Sequence, residues 1–270
     1  VWVYAMPALL LALFWLLSWV AVRDTPGLAG HPDFATGDAS DGDEGPRKPA
    51  LQVFAMMLRN PVILTIAGIE FCSGFLRQAI MQWFQTFAKQ TDGVLGLKQG
   101  FVYQNWGLLL CCAGILGGVF AGSISDHLFK SRRGPVSAVL YGILTLGSLA
   151  LCFLYTTPAV GWLVIFLSMA VIGVHGMLSG TASMDFGGAK NAGIAVGLID
   201  GFVYLGTGCM SLTYGLLLPG EQFDAGGRLT GPVLDPSNWL AWPLAMVPVA
   251  ALGLFLAFRV WHATPRRHGH

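Results

Sequence analysis

The stretch Gly68–Phe87 reads GIEFCSGFLRQAIMQWFQTF. It is long enough to cross a bilayer, because a helix needs roughly 20 mostly apolar residues to span the hydrocarbon core. Two charged residues interrupt it, Glu70 and Arg77. A charge at the centre of a membrane helix costs about 2.5–3.5 kcal/mol on insertion scales, so a guanidinium kept there needs a partner. Arg77 is also too far from either end of its segment to reach the interface easily. Glu70 lies two helical turns earlier on the same face, about 10 Å away along the axis. That is long for direct contact within one helix. Two readings therefore stay open for Arg77: an anionic ligand, or a structural pair with Glu70 or with a group on another helix.

The rest of the chain shares this character. Of its 270 residues 54% are hydrophobic and 11% charged, whereas soluble domains carry about 25% charged residues. Seven apolar runs have spanning length: about Val1–Val22, Val62–Lys89, Phe101–Ile124, Pro135–Tyr155, Val160–Met184, Asn191–Leu218 and Asn238–His262. The expected class is an all-α integral membrane protein. Arg23–Asn60 is acidic and rich in Gly, Pro and Asp, which cannot build a core and predicts a mobile linker. Its last part, ALQVFAMMLRN, is short and amphipathic and is expected along the membrane surface. The chain opens directly in an apolar run with no basic region before it, unlike a signal peptide. It reads as a fragment that lacks its N-terminal part.

Lys and Arg favour the cytoplasmic side of membrane proteins. If the linker is cytoplasmic, so are Arg23, Arg47, Lys48, Arg59, Lys130, Arg132, Arg133, Lys190, Arg259, Arg266 and Arg267. Lys89, Lys98 and Arg228 fall on the other side, and the C-terminus is cytoplasmic. Because the basic residues follow topology, nucleic-acid binding has no support. Cys72, Cys111, Cys112, Cys152 and Cys209 all lie in apolar runs, so neither a disulfide framework nor a metal site is expected. No nucleotide-binding fingerprint or nucleophile motif is present. The chain reads as no enzyme and as needing no cofactor.

Two further stretches carry chemistry. In GGVFAGSISDHLFKSRRGP (Gly117–Pro135), Gly117, Gly118, Ala121 and Gly122 offer a small-residue face for close packing. Asp126 then precedes the basic turn with Lys130, Arg132 and Arg133. It is placed to pair with an arginine or to cap a helix N-terminus, and such a contact made in one conformation only would act as a latch. The plain alternative is a loop obeying the positive-inside rule. In GVHGMLSGTASMDFGGAKNAGIAVGLIDGFVYLGTG (Gly173–Gly208), His175 and Asp200 are intramembrane polar groups. His175 reads as a phosphate donor, a proton carrier or a satisfied packing residue. Asp200 and Glu70 read as structural or gating groups, with proton coupling a further role for Glu70. Tyr103, Gln104 and Asn105, and more weakly Tyr204, are candidate cavity contacts. Trp83, Phe84, Phe87, Trp239 and Trp242 fit interfacial belts.

The loop around Asp126, Arg132 and Arg133 resembles the loop between helices 8 and 9 of the major facilitator superfamily. The second stretch resembles the organophosphate:phosphate antiporters of that superfamily, through Asp185, Lys190, Ala192-Gly193, Gly197 and the run GFVYLG. With Arg77, the likeness extends over nearly the whole chain. The resemblance implies a superfamily-type helix bundle in which the seven segments are helix 6 and the six-helix C-terminal half. Residues 1–22 would be the last helix of the N-terminal half and 23–60 a cytoplasmic linker. Residues 61–262 would be the transport unit and 263–270 a basic tail.

The resemblance further implies exchange of a sugar phosphate or glycerol phosphate for inorganic phosphate by alternating access. Arg77 matches the phosphoryl-binding arginine of helix 7, whose partner on helix 1 would lie in a missing N-terminal half of the same chain. Helices 7 and 10 line the cavity in this superfamily, which makes His175 a candidate contact. Asp126, Arg132, Arg133, Glu70, Asp200, Asp185 and Lys190 are the expected gating or coupling residues. Such a protein would act as a monomer in the lipid bilayer, most simply a bacterial inner membrane. The rival functions are a proton-coupled symporter of another organic anion, using Glu70, His175 or Asp200, and a transporter-like sugar-phosphate receptor.

Overall fold

A computed structural model describes residues 2–23, 26–32, 49–182 and 191–262, with backbone only at 180–182. Asp185, Lys190, most of the linker and the tail 263–270 lie outside these residues. Among the described residues seven helices are long and apolar enough to cross a membrane, and they coincide with the seven runs read from the sequence. The chain divides into two units, Val1–Gly37 and Asp38–His270.

The first unit is the helix α1 (Trp2–Ala21), which buries none of its residues. Arg23 closes its end by donating to the carbonyls of Val20 and Val22 at 3.0 and 3.2 Å, groups that a helix C-terminus otherwise leaves unpaired.

The second unit opens with α2 (Ala50–Met57). Its Val53 and Met57 are buried against Ile63, Ala195 and Leu198. Two apolar residues of this segment are thus taken up by protein, while Leu51, Phe54 and Met56 stay exposed. α3 (Pro61–Met81) starts where it does because the Asn60 side chain accepts from the N–H groups of Val62 and Ile63, and Pro61 occupies the first helical turn. α4 (Trp83–Gln90) prolongs α3 into one span, Pro61–Gln90. α5 (Trp106–Ser123) runs into a π turn, Ile124–Leu128. α6 (Arg133–Leu154) follows, then α7 (Val160–His175), which continues as a second π segment, Gly176–Ala182. α8 (Ala192–Leu217), a two-stranded hairpin (Gln222–Phe223 with Leu229–Thr230) and α9 (Ala241–Arg259) complete the unit.

α3 lies at the centre, packed against α7, α8 and α9, while α5 pairs with α7 and α6 with α9. Where α3 crosses α8, the backbones touch. A Cβ on Gly74 would lie 2.0 Å from the Val203 carbonyl oxygen, and one on Gly206 would lie 2.0 Å from that of Phe71. Thr207 bridges the crossing by donating to Gly74 O at 3.3 Å and Val203 O at 3.2 Å. α5 and α7 approach in the same way at Gly117 and Gly173, beside the buried Ala121. Gly118 and Gly122 have nothing within 4 Å of a Cβ. The small-residue face of α5 is therefore a single stripe, Gly117–Ala121, and its two other glycines look outward.

The aromatic belt expected at the Lys89 end is instead a packed core. Phe84, Phe87, Trp239 and Trp242 are at most 1% exposed. Phe87 lies 5.2 Å from Trp242 and 5.5 Å from Trp239 between ring centroids, and Trp83 lies 5.3 Å from Tyr214. Each polar edge finds an acceptor: Trp242 donates to Ala79 O at 2.8 Å, Trp239 to Val233 O at 3.0 Å, and Tyr214 to Trp242 O at 2.9 Å. Such rings combine a large apolar area with a polar edge that needs a partner when buried. Here they brace α4 against α8 and α9. Just before α9, Asp235 caps the turn Pro236–Trp239, and hydrogen bonds from Ser237 hold its carboxyl below the usual carboxylate range.

Gly74→Val should lower stability by about 1–3 kcal/mol or more, because the new methyl groups meet backbone that cannot move aside. Gly118→Val, on the open stripe, should be close to neutral. Thermal unfolding in detergent, followed by size-exclusion of the survivors, compares the two.

Candidate functional site

α3 carries the two intramembrane charges. Glu70 is fully buried, and Arg77, two turns further on, is half-buried. The glycine crossing at Gly74 sits between them and holds this part of α3 against α8. Glu70 does not pair with Arg77. Its Oε2 meets His175 Nδ1 on α7 at 2.7 Å. With Glu70 ionised, its carboxylate accepts from His175 Nδ1–H, which leaves Nε2 for another contact. The imidazole is about a quarter exposed (26%) while the carboxylate is sealed at 0%. Glu70 Oε1 is buried with no hydrogen-bond partner among the described residues.

One turn beyond His175, in the π segment, Ser179 donates to Asp200 Oδ1 on α8. Two polar bridges thus tie α7 to its neighbours, one to α3 and one to α8. π segments widen a helix locally and recur at functional sites. Glu70 lies within electrostatic range of His175, Asp200 and Arg77. Arg77 itself makes no hydrogen bond or ion pair among the described residues. It is a cation facing outward from the most enclosed helix of the unit.

The face of α3 and α4 that starts at Arg77 stays open as far as Lys89. Gln82 and Lys89 are exposed, and Gln78, Met81, Gln85 and Thr86 are half-buried. The helix loosens midway. α3 ends at Met81 and α4 starts at Trp83. The Thr86 N–H reaches Gln82 O at 3.4 Å and the Thr86 hydroxyl donates to the same carbonyl at 3.3 Å. A hydroxyl competing for an i−4 carbonyl commonly bends a helix.

The other expected contacts are dispersed. Asn105 donates its amide to Phe101 O at 2.9 Å, Tyr103 is half-buried and Gln104 exposed. Tyr204 is 71% exposed on α8. Among the described residues, no hydrogen bond or ring contact joins these four to Arg77 or to the Glu70–His175 pair. At the basic turn, Lys130 and Ser131 hold φ of 52° and 59°, a left-handed conformation that costs a side-chain-bearing residue about 1–2 kcal/mol. Ser131 is fixed there by its N–H to Ser125 O at 2.8 Å and its hydroxyl to Asp126 Oδ1 at 2.9 Å. Asp126 is thus held by Ser131 and not by an arginine in this conformation. Arg132 donates to Phe129 O at 3.3 Å and Arg133 to Ser125 Oγ at 3.0 Å. Asp185 and Lys190 lie outside the described residues.

Sequence reading missed Ser179, which looks like one more small residue in an apolar run. It also missed the glutamines after Arg77, although their spacing of four and three residues puts them on one helix face. No group of three or more His, Cys, Asp or Glu among the described residues could hold a metal ion.

A family model of the Major Facilitator Superfamily matches residues 1–210. The glycerol-3-phosphate transporter of Bacillus subtilis (strain 168) is 26% identical over 277 residues, covering 98% of this chain and 57% of that protein. A probable hexose phosphate transport protein of Chlamydia pneumoniae is 25% identical over 264 residues, covering 91% and 53%. The membrane sensor protein UhpC of Escherichia coli (strain K12) is 26% identical over 201 residues, covering 70% and 44%. The chain spans about half the length of the curated relatives it matches.

His175→Leu should destabilise the protein by about 3–5 kcal/mol, since it strands a buried carboxylate. The double variant Glu70→Leu/His175→Leu should recover most of that loss. Unfolding of the single and double variants in detergent measures the coupling, and a fully stable His175→Leu would show that the pair carries no stability.

Proposed function

Since the chain belongs to the Major Facilitator Superfamily, we propose that it is part of a secondary transporter that exchanges an organic phosphate for inorganic phosphate by alternating access. The organic phosphate is a sugar phosphate or glycerol phosphate, and Arg77 binds its phosphoryl group. The observation that carries this reading is that the guanidinium of Arg77, on the central helix, has no hydrogen-bond or ion-pair partner among the described residues. Arginine keeps its charge and offers a planar fork that matches phosphate oxygens in pairs. The likeness to transporters of glycerol 3-phosphate and hexose phosphate supports the same ligand class.

In this reading residues 1–22 end a first half, 23–60 form a cytoplasmic linker, 61–262 make the second half, and 263–270 are a basic cytoplasmic tail. A preceding six-helix half of the same protein supplies the facing wall of the site. The protein works as a monomer in a bacterial inner membrane, with its C-terminus in the cytoplasm. An empty site leaves the charge of Arg77 unbalanced in a low-dielectric region, where charges interact strongly. A bound phosphate neutralises it and lowers the barrier to reorientation, so exchange is favoured over net movement. His175, oriented by Glu70, offers Nε2 to the ligand, and an imidazolium there donates through both nitrogens. Tyr103, Gln104, Asn105 and Tyr204 add polar contacts. Asp126, Arg132, Arg133, Asp185 and Lys190 act in gating at the cytoplasmic side, and Asp200 acts within the membrane.

One observation favours a second reading, proton-coupled symport of an organic anion. The buried Glu70–His175 pair joins two titratable groups with one exposed edge, and such intramembrane pairs are proton-relay candidates.

Counterflow by the full-length protein in liposomes separates the two readings. Exchange predicts uptake of labelled phosphate only when phosphate or a phosphate ester is inside. Arg77→Lys should cut the uptake rate at least about tenfold, since it loses the bidentate fork. Uptake that ignores internal phosphate and follows an imposed pH gradient would replace exchange by proton coupling, and full activity in Arg77→Lys would remove the bidentate contact.

A further inference from the structure

The open face beyond Arg77 differs from the leucine- and isoleucine-rich open surfaces of α5 and α8. α5 exposes Leu108, Ile115 and Val119, and α8 exposes Leu205, Leu212 and Leu216, surfaces suited to lipid. On the α3–α4 span, the positions left open from Arg77 to Lys89 are polar apart from Met81 and Trp83. They include Gln78, Gln82, Gln85 and Thr86. Polar side chains at membrane depth face a protein interior or a water-filled cavity, not lipid. The amides are also uncommitted. Among the described residues the side chains of Gln78, Gln82 and Gln85 make no hydrogen bond, and Gln85 Nε2 is buried without a partner. Gln90, on the buried side of the same helix, has by contrast engaged its amide with Glu221 at 2.5 Å.

We infer that Gln78, Gln82 and Gln85 form a subsite for the hydroxyl groups of a phosphorylated polyol whose phosphate sits at Arg77. The inference rests on the phosphate reading of Arg77 and deepens it. A primary amide both donates and accepts, as a hydroxyl does, so a row of amides pairs with a row of hydroxyls without favouring charge. The stripe holds no carboxylate between Arg77 and Lys89, so a ligand anionic at one end and neutral along its length matches it. The spacing sets the length. Gln78 adjoins Arg77, and measured along the axis from Arg77, Gln82 lies about 7.5 Å away and Gln85 about 12 Å. With C–C bonds of about 1.5 Å, a three-carbon chain reaches little beyond Gln78, whereas a six-carbon chain extends to the level of Gln82. The stripe therefore selects a hexose-sized phosphate ester over glycerol phosphate and inorganic phosphate.

Equilibrium binding to the purified full-length protein tests this, with labelled glucose 6-phosphate displaced by unlabelled glucose 6-phosphate, glycerol 3-phosphate or inorganic phosphate. The wild-type protein should prefer glucose 6-phosphate. Gln82→Leu, at an exposed position that a leucine fits, should weaken glucose 6-phosphate about five- to tenfold more than inorganic phosphate, the loss expected for one hydrogen bond of ordinary strength. Gln85→Leu should do the same, and Gln82→Asn should fall between. Equal weakening of all three ligands, or none, would overturn the subsite. Equal wild-type affinity for glycerol 3-phosphate and glucose 6-phosphate would also overturn it, while leaving Arg77 as the phosphate site. A wild-type protein that binds none of the three removes both.

Discussion

Glu70 is the only acid on α3, and it is already bound to His175. That single contact decides how the membrane region is to be understood. A buried carboxylate without a counter-group is costly, and the imidazole of α7 satisfies it from across the bundle. The guanidinium two turns away is then left without an acid of its own helix to answer it. Glu70 and Arg77 stand about 10 Å apart along the axis of one helix, too far to answer each other directly.

The pair can form only because α3 is held tightly on its other sides. Glycines at the crossing with α8 bring backbone to backbone, and Thr207 hydrogen-bonds across the gap. In lipid there is little hydrophobic gain from helix association, so close packing and hydrogen bonds between helices do this work. At the other end of the span, the rings of Phe84, Phe87, Trp239 and Trp242 close against α8 and α9. What stays open on α3 and α4 is the remaining side, which carries Arg77, the glutamines and Lys89.

Much of this was legible in the sequence. The Gly68–Phe87 stretch announced a spanning helix with a misfit charge. The tight turn at Lys130–Arg133 was also visible, though its hydrogen bonds were not. The aromatic residues were misread for a physical reason. Inside a bilayer, a tryptophan facing lipid headgroups and one packed between helices sit in equally apolar runs. The hydrophobic period that separates inside from outside in a soluble helix is therefore muted. The same ambiguity hid which of the α5 glycines makes a contact, since Gly117 and Gly118 differ only in the direction they face.

The sequence by itself determined the number and length of the spans and the presence of four intramembrane groups needing partners, Glu70, Arg77, His175 and Asp200. These follow from local composition, because transfer into hydrocarbon depends on a residue's own polarity and on the run that contains it. Only the tertiary structure decided which of these groups meet. Glu70 and His175 stand 105 positions apart, and no local preference encodes their contact. It depends on helix order, on glycine-depth crossings and on the direction in which each face turns.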